Sequence, residues 1–168
     1  MSSSKVLVVM GSDSDFSVMK SCVDQLSTFG IESEVRVCSA HRTPDVAHGL
    51  ASGAVDSGFS VVIAAAGHAA HLAGVMAAST VLPVIGVPID SSALDGLDAL
   101  LATVQMPPGV PVATVAIGKP GAINAAVLAA QVIAVGNPSV REKVVEHKVR
   151  MAEKVAEKDA RLREQCRG

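Results

Sequence analysis

The sequence predicts a three-layer α/β fold, in which helices cover both faces of a parallel sheet. Two observations carry that reading. Short runs rich in Val, Ile and Ala alternate with longer amphipathic stretches, and Gly, Pro or Ser/Thr clusters separate them. Parallel strands need a crossover, usually a helix, so regular alternation of this kind implies a parallel sheet buried on both sides. The second observation is size and composition. A chain of 168 residues, 49% hydrophobic, has material for one domain with a real core. With 2% aromatics and no Trp or Tyr, that core must be built from Val, Ala, Leu, Ile and Met.

Lys5–Met10 opens the pattern as a buried strand, an apolar run too short for a helix. Asp15–Phe29 follows as a helix with Met19, Val23 and Leu26 on one face, and Gly30 stops it. Ile31–Cys38 alternates as the second strand. Thr43 then Pro44 marks the next helix start, a capping hydroxyl before a first-turn proline. That helix runs to about Ser57, with Ala47, Leu50, Ala51, Ala54 and Val55 inward, and Gly58 ends it. Ser60–Ala65 is the third strand, with a helix over Ala69–Ser79 after it. Val84–Val87 is the fourth, followed by a short helix near Leu94–Thr103. Val112–Ile117 is the fifth and leads into an alanine-rich helix over Gly121–Val135. Right-handed crossovers then favour a flavodoxin-like strand order, with ligands at the carboxyl ends of the strands.

Residues 1–137 complete such a domain, leaving 138–168 as a long C-terminal helix. Val140, Val144, Met151, Val155 and Leu162 form an apolar stripe on it, broadened by Val145, Val149, Ala152 and Ala156. The stripe needs a surface, either its own subunit or a neighbouring one. The net charge of −2 conceals five basic against ten acidic residues up to Asn137, and nine against six beyond it. The basic tail does not imply nucleic acid, because its signs alternate at helical spacing: Glu146–Arg150, Glu157–Arg161, Asp159–Arg163. The scarcity of aromatics also argues against single-strand binding.

Met1–Ser4 is polar and Val6–Met10 too short for a signal region, so no secretory signal is expected. The uncharged run Ser57–Ile89 contains two histidines, two prolines and several glycines, so it is expected to break into strand, loop and helix rather than cross a membrane. Cys22, Cys38 and Cys166 make an odd, scattered set, which suits a reducing cytoplasm.

The polar clusters all follow strands. Gly11-Ser12-Asp13-Ser14-Asp15 offers free N–H groups and hydroxyls at a helix start, suited to a phosphate or a ribose. Plain N-capping by Ser14 or Asp13 would leave the same signature. Ser39-Ala40-His41-Arg42-Thr43-Pro44 sets a charged fork beside a helix N-terminus, which fits a phosphate monoester, and a histidine able to exchange protons near neutrality. A surface histidine beside a salt-bridged arginine is the plainer alternative. Ala66-Gly67-His68-Ala69-Ala70-His71-Leu72 lets backbone approach a ligand closely. His68 and His71 lie one helical turn apart, but no carboxylate or cysteine nearby in sequence completes a metal set. Cys38 is read as a buried structural thiol.

Four segments together, Val9–Asp15, Ser39–Pro44, Ala69–Leu72 and Gln105-Met106-Pro107, resemble the signature segments of the bacterial N5-carboxyaminoimidazole ribonucleotide mutases. The likeness runs in order from the first strand to about Val135. It implies an isomerase of purine (IMP) biosynthesis, which moves a carboxylate from the exocyclic amine of an imidazole nucleotide to ring carbon 4. No cofactor or metal is implied, and the partner is a small-molecule nucleotide, with neither nucleic acid nor membrane. On the family pattern Ser12, Ser39 and Arg42 hold the phosphate, and Asp15 takes the ribose hydroxyls. His41 carries the proton, and the backbone around Gly67–His71 encloses the base and the migrating carboxyl group. The resemblance also implies cytoplasmic homo-octamers with flavodoxin-like subunits.

The chain departs from that pattern where His68 replaces a usual glycine and Ala73 a usual proline. The related animal-type carboxylases use free CO2 and differ in these motifs. A signalling receiver domain would share the architecture, but it needs an aspartate after the third strand, where this chain has Ala65-Ala66-Gly67. A nucleotide-binding regulatory subunit is the remaining non-catalytic reading.

Overall fold

The apolar runs become strands and the amphipathic stretches become helices, in strict alternation. The structure is a computed structural model that describes residues 5–167; Met1–Ser4, the segment read for a signal, and Gly168 lie outside the described residues. In chain order the elements are β1 (Lys5–Met10), α1 (Phe16–Thr28), β2 (Glu32–Val37), α2 (Pro44–Ser52), β3 (Phe59–Ala66) and α3 (Leu72–Ser79). They continue as β4 (Val84–Pro88), α4 (Leu97–Val104), β5 (Ala113–Thr114), α5 (Gly118–Ala134) and α6 (Pro138–Gln165). The five strands form one sheet in the order β2-β1-β3-β4-β5, parallel throughout. This is the flavodoxin-like α/β architecture predicted above.

Alternate residues of the central strands feed two separate cores. Val6, Val8, Met10, Val61, Ile63, Ile85 and Val87 meet α1, α5 and the start of α6 on one face. Leu7, Val9, Val62, Ala64 and Val84 meet α2 and α3 on the other. Alanines replace aromatics at the closest contact: Ala122, Ala125, Ala126, Ala129 and Ala130 of α5 are fully buried, which lets this helix lie close to α1 and the sheet.

Several details differ from the sequence reading, and three have a plain physical reason. β5 covers only Ala113–Thr114, because Val115 donates to Gly86 and the next residue of β4 on that side is Pro88, which has no N–H to offer. α2 ends at Ser52 and continues as turns, so Val55 is exposed instead of inward. The Thr43 hydroxyl does not cap α2; it accepts from the Ser39 N–H at 2.9 Å and donates to the Ser39 carbonyl at 3.1 Å.

The tail divides. Asn137 caps α6 by accepting from Val140 N–H, and Arg141 donates to the carbonyls of Ala134 and Val135 at 3.0 and 2.9 Å, closing the end of α5. Val140 and Val144 are buried, and His147 meets Phe29 edge-on. Beyond that point α6 leaves its own subunit: Val149, Met151, Val155 and Leu162 are all exposed. The alternating charges close in part, with Glu146–Arg150 and Asp159–Arg163 paired at 3.4 and 3.8 Å. No described helix is long and apolar enough to cross a membrane.

Gly121 illustrates how tightly α5 is set. A β-carbon there would run into the backbone carbonyl of Ala116, which has no rotamer to escape into. Helix propensity favours alanine over glycine by ~1 kcal/mol, but forced overpacking costs ~1–3 kcal/mol or more. Gly121→Ala is therefore expected to destabilise the protein by ~2 kcal/mol in urea unfolding; a stabilised variant would contradict this packing.

Candidate active site

The strand order decides which loops become neighbours. β1 lies between β2 and β3, so the loops leaving their carboxyl ends stand side by side, with the β4 loop next to that of β3. Together they line a cleft of about 610 Å³ that includes Ser12, Asp15, Ser39, His41, Arg42, Gly67, His68, His71 and Ser91. Every residue singled out from the sequence as a site residue is among them. Gln105-Met106-Pro107 is not: it borders no part of this cleft, and Met106 packs against Gly74.

The first loop is a short 3-10 turn over Asp13–Asp15. Its cap is Ser12, neither Ser14 nor Asp13: the Ser12 hydroxyl accepts from the Ser14 N–H at 3.3 Å and from the Ser14 hydroxyl at 2.8 Å. Asp15 turns inward and is only 6% exposed. Burial, with the nearby Asp13 charge, raises its carboxyl above the ordinary value, outweighing the Ser12 backbone, the Ser14 side chain and the His68 ring, which pull the other way. A buried carboxylate lacking a strong cationic partner is held ready for a polar ligand.

The second loop braces itself. Ser39 and Thr43 exchange the two hydrogen bonds already described, and the Arg42 N–H donates to the Ser39 hydroxyl oxygen at 3.2 Å. That leaves the Ser39 O–H free to donate outward. The Arg42 guanidinium reaches the Gly11 carbonyl at 3.4 Å, tying the β2 loop to the β1 loop. It also borders a second hollow of about 360 Å³ shared with Ser12, Ser39 and Thr43. A permanent cation beside the Ser39 O–H and the N-terminus of α2 is suited to a phosphate dianion, with the Asp13 carboxylate lining the same hollow.

His41 crosses above β1 to the third loop. Its Nε2 stands 2.7 Å from Nδ1 of His71, with the rings edge to face at 4.9 Å between centroids. At that distance one proton lies between the nitrogens, and two facing N–H groups do not fit. The sequence showed neither the pairing nor its direction, because the two residues are 30 apart in the chain. α3 also starts later than read, at Leu72, so His68 and His71 do not share a helix. A β-carbon at Gly67 would displace the Ser91 hydroxyl and come within 3.3 Å of the Ile89 carbonyl, so a larger residue crowds this loop.

Cys38 stays out of the chemistry. It is buried, and burial raises its thiol, as it raises that of Cys22 to about 12. The loop after β3 carries no carboxylate, so a receiver-type phosphoacceptor has no place here.

A family model described as AIR carboxylase matches residues 5–154. The chain belongs to this family. Among curated proteins named N5-carboxyaminoimidazole ribonucleotide mutase, that of Mycobacterium tuberculosis is 54% identical, over 94% of this chain and 90% of its own length. That of Pyrococcus horikoshii is 52% identical over 98% and 93%, and that of Thermotoga maritima 51% over 94% and 91%. A crystal structure of Treponema denticola PurE matches with a TM-score of 0.84 at 29% identity, covering 94% of this chain and 98% of that one.

The burial of Asp15 has a consequence for stability. A carboxyl raised by folding costs the folded state nothing below its ordinary value of 3.8; the cost builds as pH rises from there and is complete once pH passes its folded value. Asp15→Asn removes that charge. The variant is expected to melt higher than the parent at neutral pH, with the gain shrinking as the pH approaches 3.8, while losing nucleotide affinity. A lower melting temperature at neutral pH would show that Asp15 serves folding instead of a ligand.

Proposed function

We propose that this member of the AIR carboxylase family is an N5-carboxyaminoimidazole ribonucleotide mutase, an isomerase of purine biosynthesis, with His41 as its proton carrier. The His41–His71 contact at the centre of a phosphate-ready cleft carries this reading. Identity above 50% to relatives named as mutases supports the mutase over a carboxylase using free CO2.

The chemistry balances on one proton. The bond from the exocyclic nitrogen to the carboxyl carbon breaks, its electron pair returns to nitrogen, and nitrogen takes a proton as CO2 departs. Ring carbon 4 then attacks the CO2, and the hydrogen at that carbon leaves as a proton. One proton enters and one leaves, so a single imidazole that gives and then takes it completes the cycle. His71 holds His41 in place for both steps through the shared hydrogen bond. Ser12, Ser39 and Arg42 bind the phosphate and Asp15 the ribose hydroxyls, so remote binding energy fixes the ring against the freed gas. The backbone at Gly67–His71 lies along the base.

Retention of CO2 requires a closed site. His41, Arg42, His68 and His71 are all exposed in the single chain. Residues 1–137 are accordingly read as the catalytic domain and 138–168 as an assembly helix, within a homo-octamer. Three observations support assembly: the apolar ridge Leu94, Leu97, Leu101 and Val104 on and before α4, the uncovered stripe on α6, and the Gln105–Pro107 segment standing away from its own cleft. The three free thiols fit a cytoplasmic setting.

Supplied with the carboxylated-amine nucleotide, the protein is expected to form product at low concentration, and to be far less efficient with the uncarboxylated nucleotide plus bicarbonate. The reverse preference identifies a carboxylase. His41→Asn should still bind nucleotide while kcat falls ~10²- to 10⁴-fold; near-normal turnover removes His41 from its role. Arg42→Ala should raise KM by about 10- to 100-fold, the loss of a charged phosphate contact, and an unchanged KM contradicts the phosphate assignment.

A further inference from the structure

Position 68 is unusual in its backbone as well as in its side chain. Among the described residues only His68 and Asp95 take positive φ without being glycine, at 55° and 50°. This left-handed region disfavours an L side chain, and glycine enters it freely. Strain of this kind persists where the surrounding structure enforces it, and it gathers at ligand sites. A purely structural position would be served better by glycine, the residue the related segments usually carry.

The ring is oriented without being used up. Nδ1 of His68 lies 3.4 Å from the Ser91 hydroxyl, and the same hydroxyl fills the space beside Gly67. Among the described residues, Nε2 has no hydrogen-bond partner. The ring shares the cleft with Asp15, with no hydrogen bond between them, and the carboxylates of both Asp15 and Asp98 lie within its electrostatic reach. Two polar groups thus line the same cleft: an inward carboxylate that only accepts, and an imidazole nitrogen that accepts or donates. A sugar hydroxyl both donates and accepts, and a ribose presents two of them side by side.

We propose that His68 is a substrate-positioning residue that binds a ribose hydroxyl through Nε2, in the cleft it shares with Asp15 and oriented by Ser91. The assignment rests on the mutase reading and extends it to the sugar. His68 then sets specificity for ribose over deoxyribose, in a chain that lacks the usual glycine there. Since the contact is made to the sugar and not to the reacting atoms, its loss falls on KM more than on kcat.

The test titrates wild type, His68→Gly and His68→Ala by calorimetry with 4-carboxy-5-aminoimidazole ribonucleotide and its 2′-deoxy and 3′-deoxy counterparts. Thermal melts and KM are measured alongside. His68→Gly is expected to melt no lower than wild type, to bind the ribonucleotide about five- to tenfold more weakly, and to bind one of the deoxy forms as wild type does. His68→Ala, which keeps the strain and lacks the ring, should show the same binding pattern. Unchanged ribonucleotide affinity in either variant overturns the proposal, as does an equal loss for all three nucleotides, the mark of a wall without a hydroxyl contact. A wild-type protein that binds none of the three overturns the mutase reading as well.

Discussion

The contact between His41 and His71 is the constraint on which the site depends. It joins loops that leave β2 and β3, and it passes over the end of β1, the strand between them. It forms only if those three strands are adjacent, parallel and in register, with their carboxyl ends level. Register Met10↔Val37 and Met10↔Ala65 sets that level. The Arg42 to Gly11 bond adds a second tie across the same junction. Small residues make it possible: Gly11, Ala40, Ala66 and Gly67 leave the rim low enough for two imidazoles and an arginine to face one another over it.

The division of labour along the cleft follows from burial. On the proposed assignment the buried Asp15 takes hydroxyls, and the exposed Arg42 takes the phosphate from water at little desolvation cost. The histidine pair shares one proton, a suitable device for the proposed reaction, which returns each proton it borrows. The framework beneath is buried, whereas His41, Arg42 and His71 are exposed. An enzyme that must keep a gas beside a nucleophilic carbon needs that exposure covered, and the uncovered ridges on α4 and α6 are of the kind a neighbouring copy would cover.

Much of this was legible before any coordinates. The strand runs, the parallel sheet and the strand-end location of Ser12, Asp15, Ser39, His41, Arg42, Gly67 and His71 follow from apolar periodicity and punctuation. What escaped depends on tertiary partners. Thr43 looks like a cap by position, but its hydroxyl satisfies Ser39. β5 looks like a full strand until its ladder meets the missing donor of Pro88. The helix read from Ala69 begins at Leu72, after a left-handed His68 and tight turns in which Ala70 and His71 donate back to His68 and Ala69. The tail stripe is one pattern in sequence and two in space: Val140 and Val144 are buried and the rest is bare.

The central claim is that the carboxyl group moves within the protein, released and recaptured without mixing with solvent CO2. Carbon-13 in the exocyclic carboxyl of the substrate tests this most directly, with turnover in unlabelled bicarbonate and carbonic anhydrase present to equilibrate any escaped gas. The account predicts that the label is retained at ring carbon 4 of the product. Label lost to the bicarbonate pool, and replaced by unlabelled carbon in the product at the rate of turnover, would contradict it.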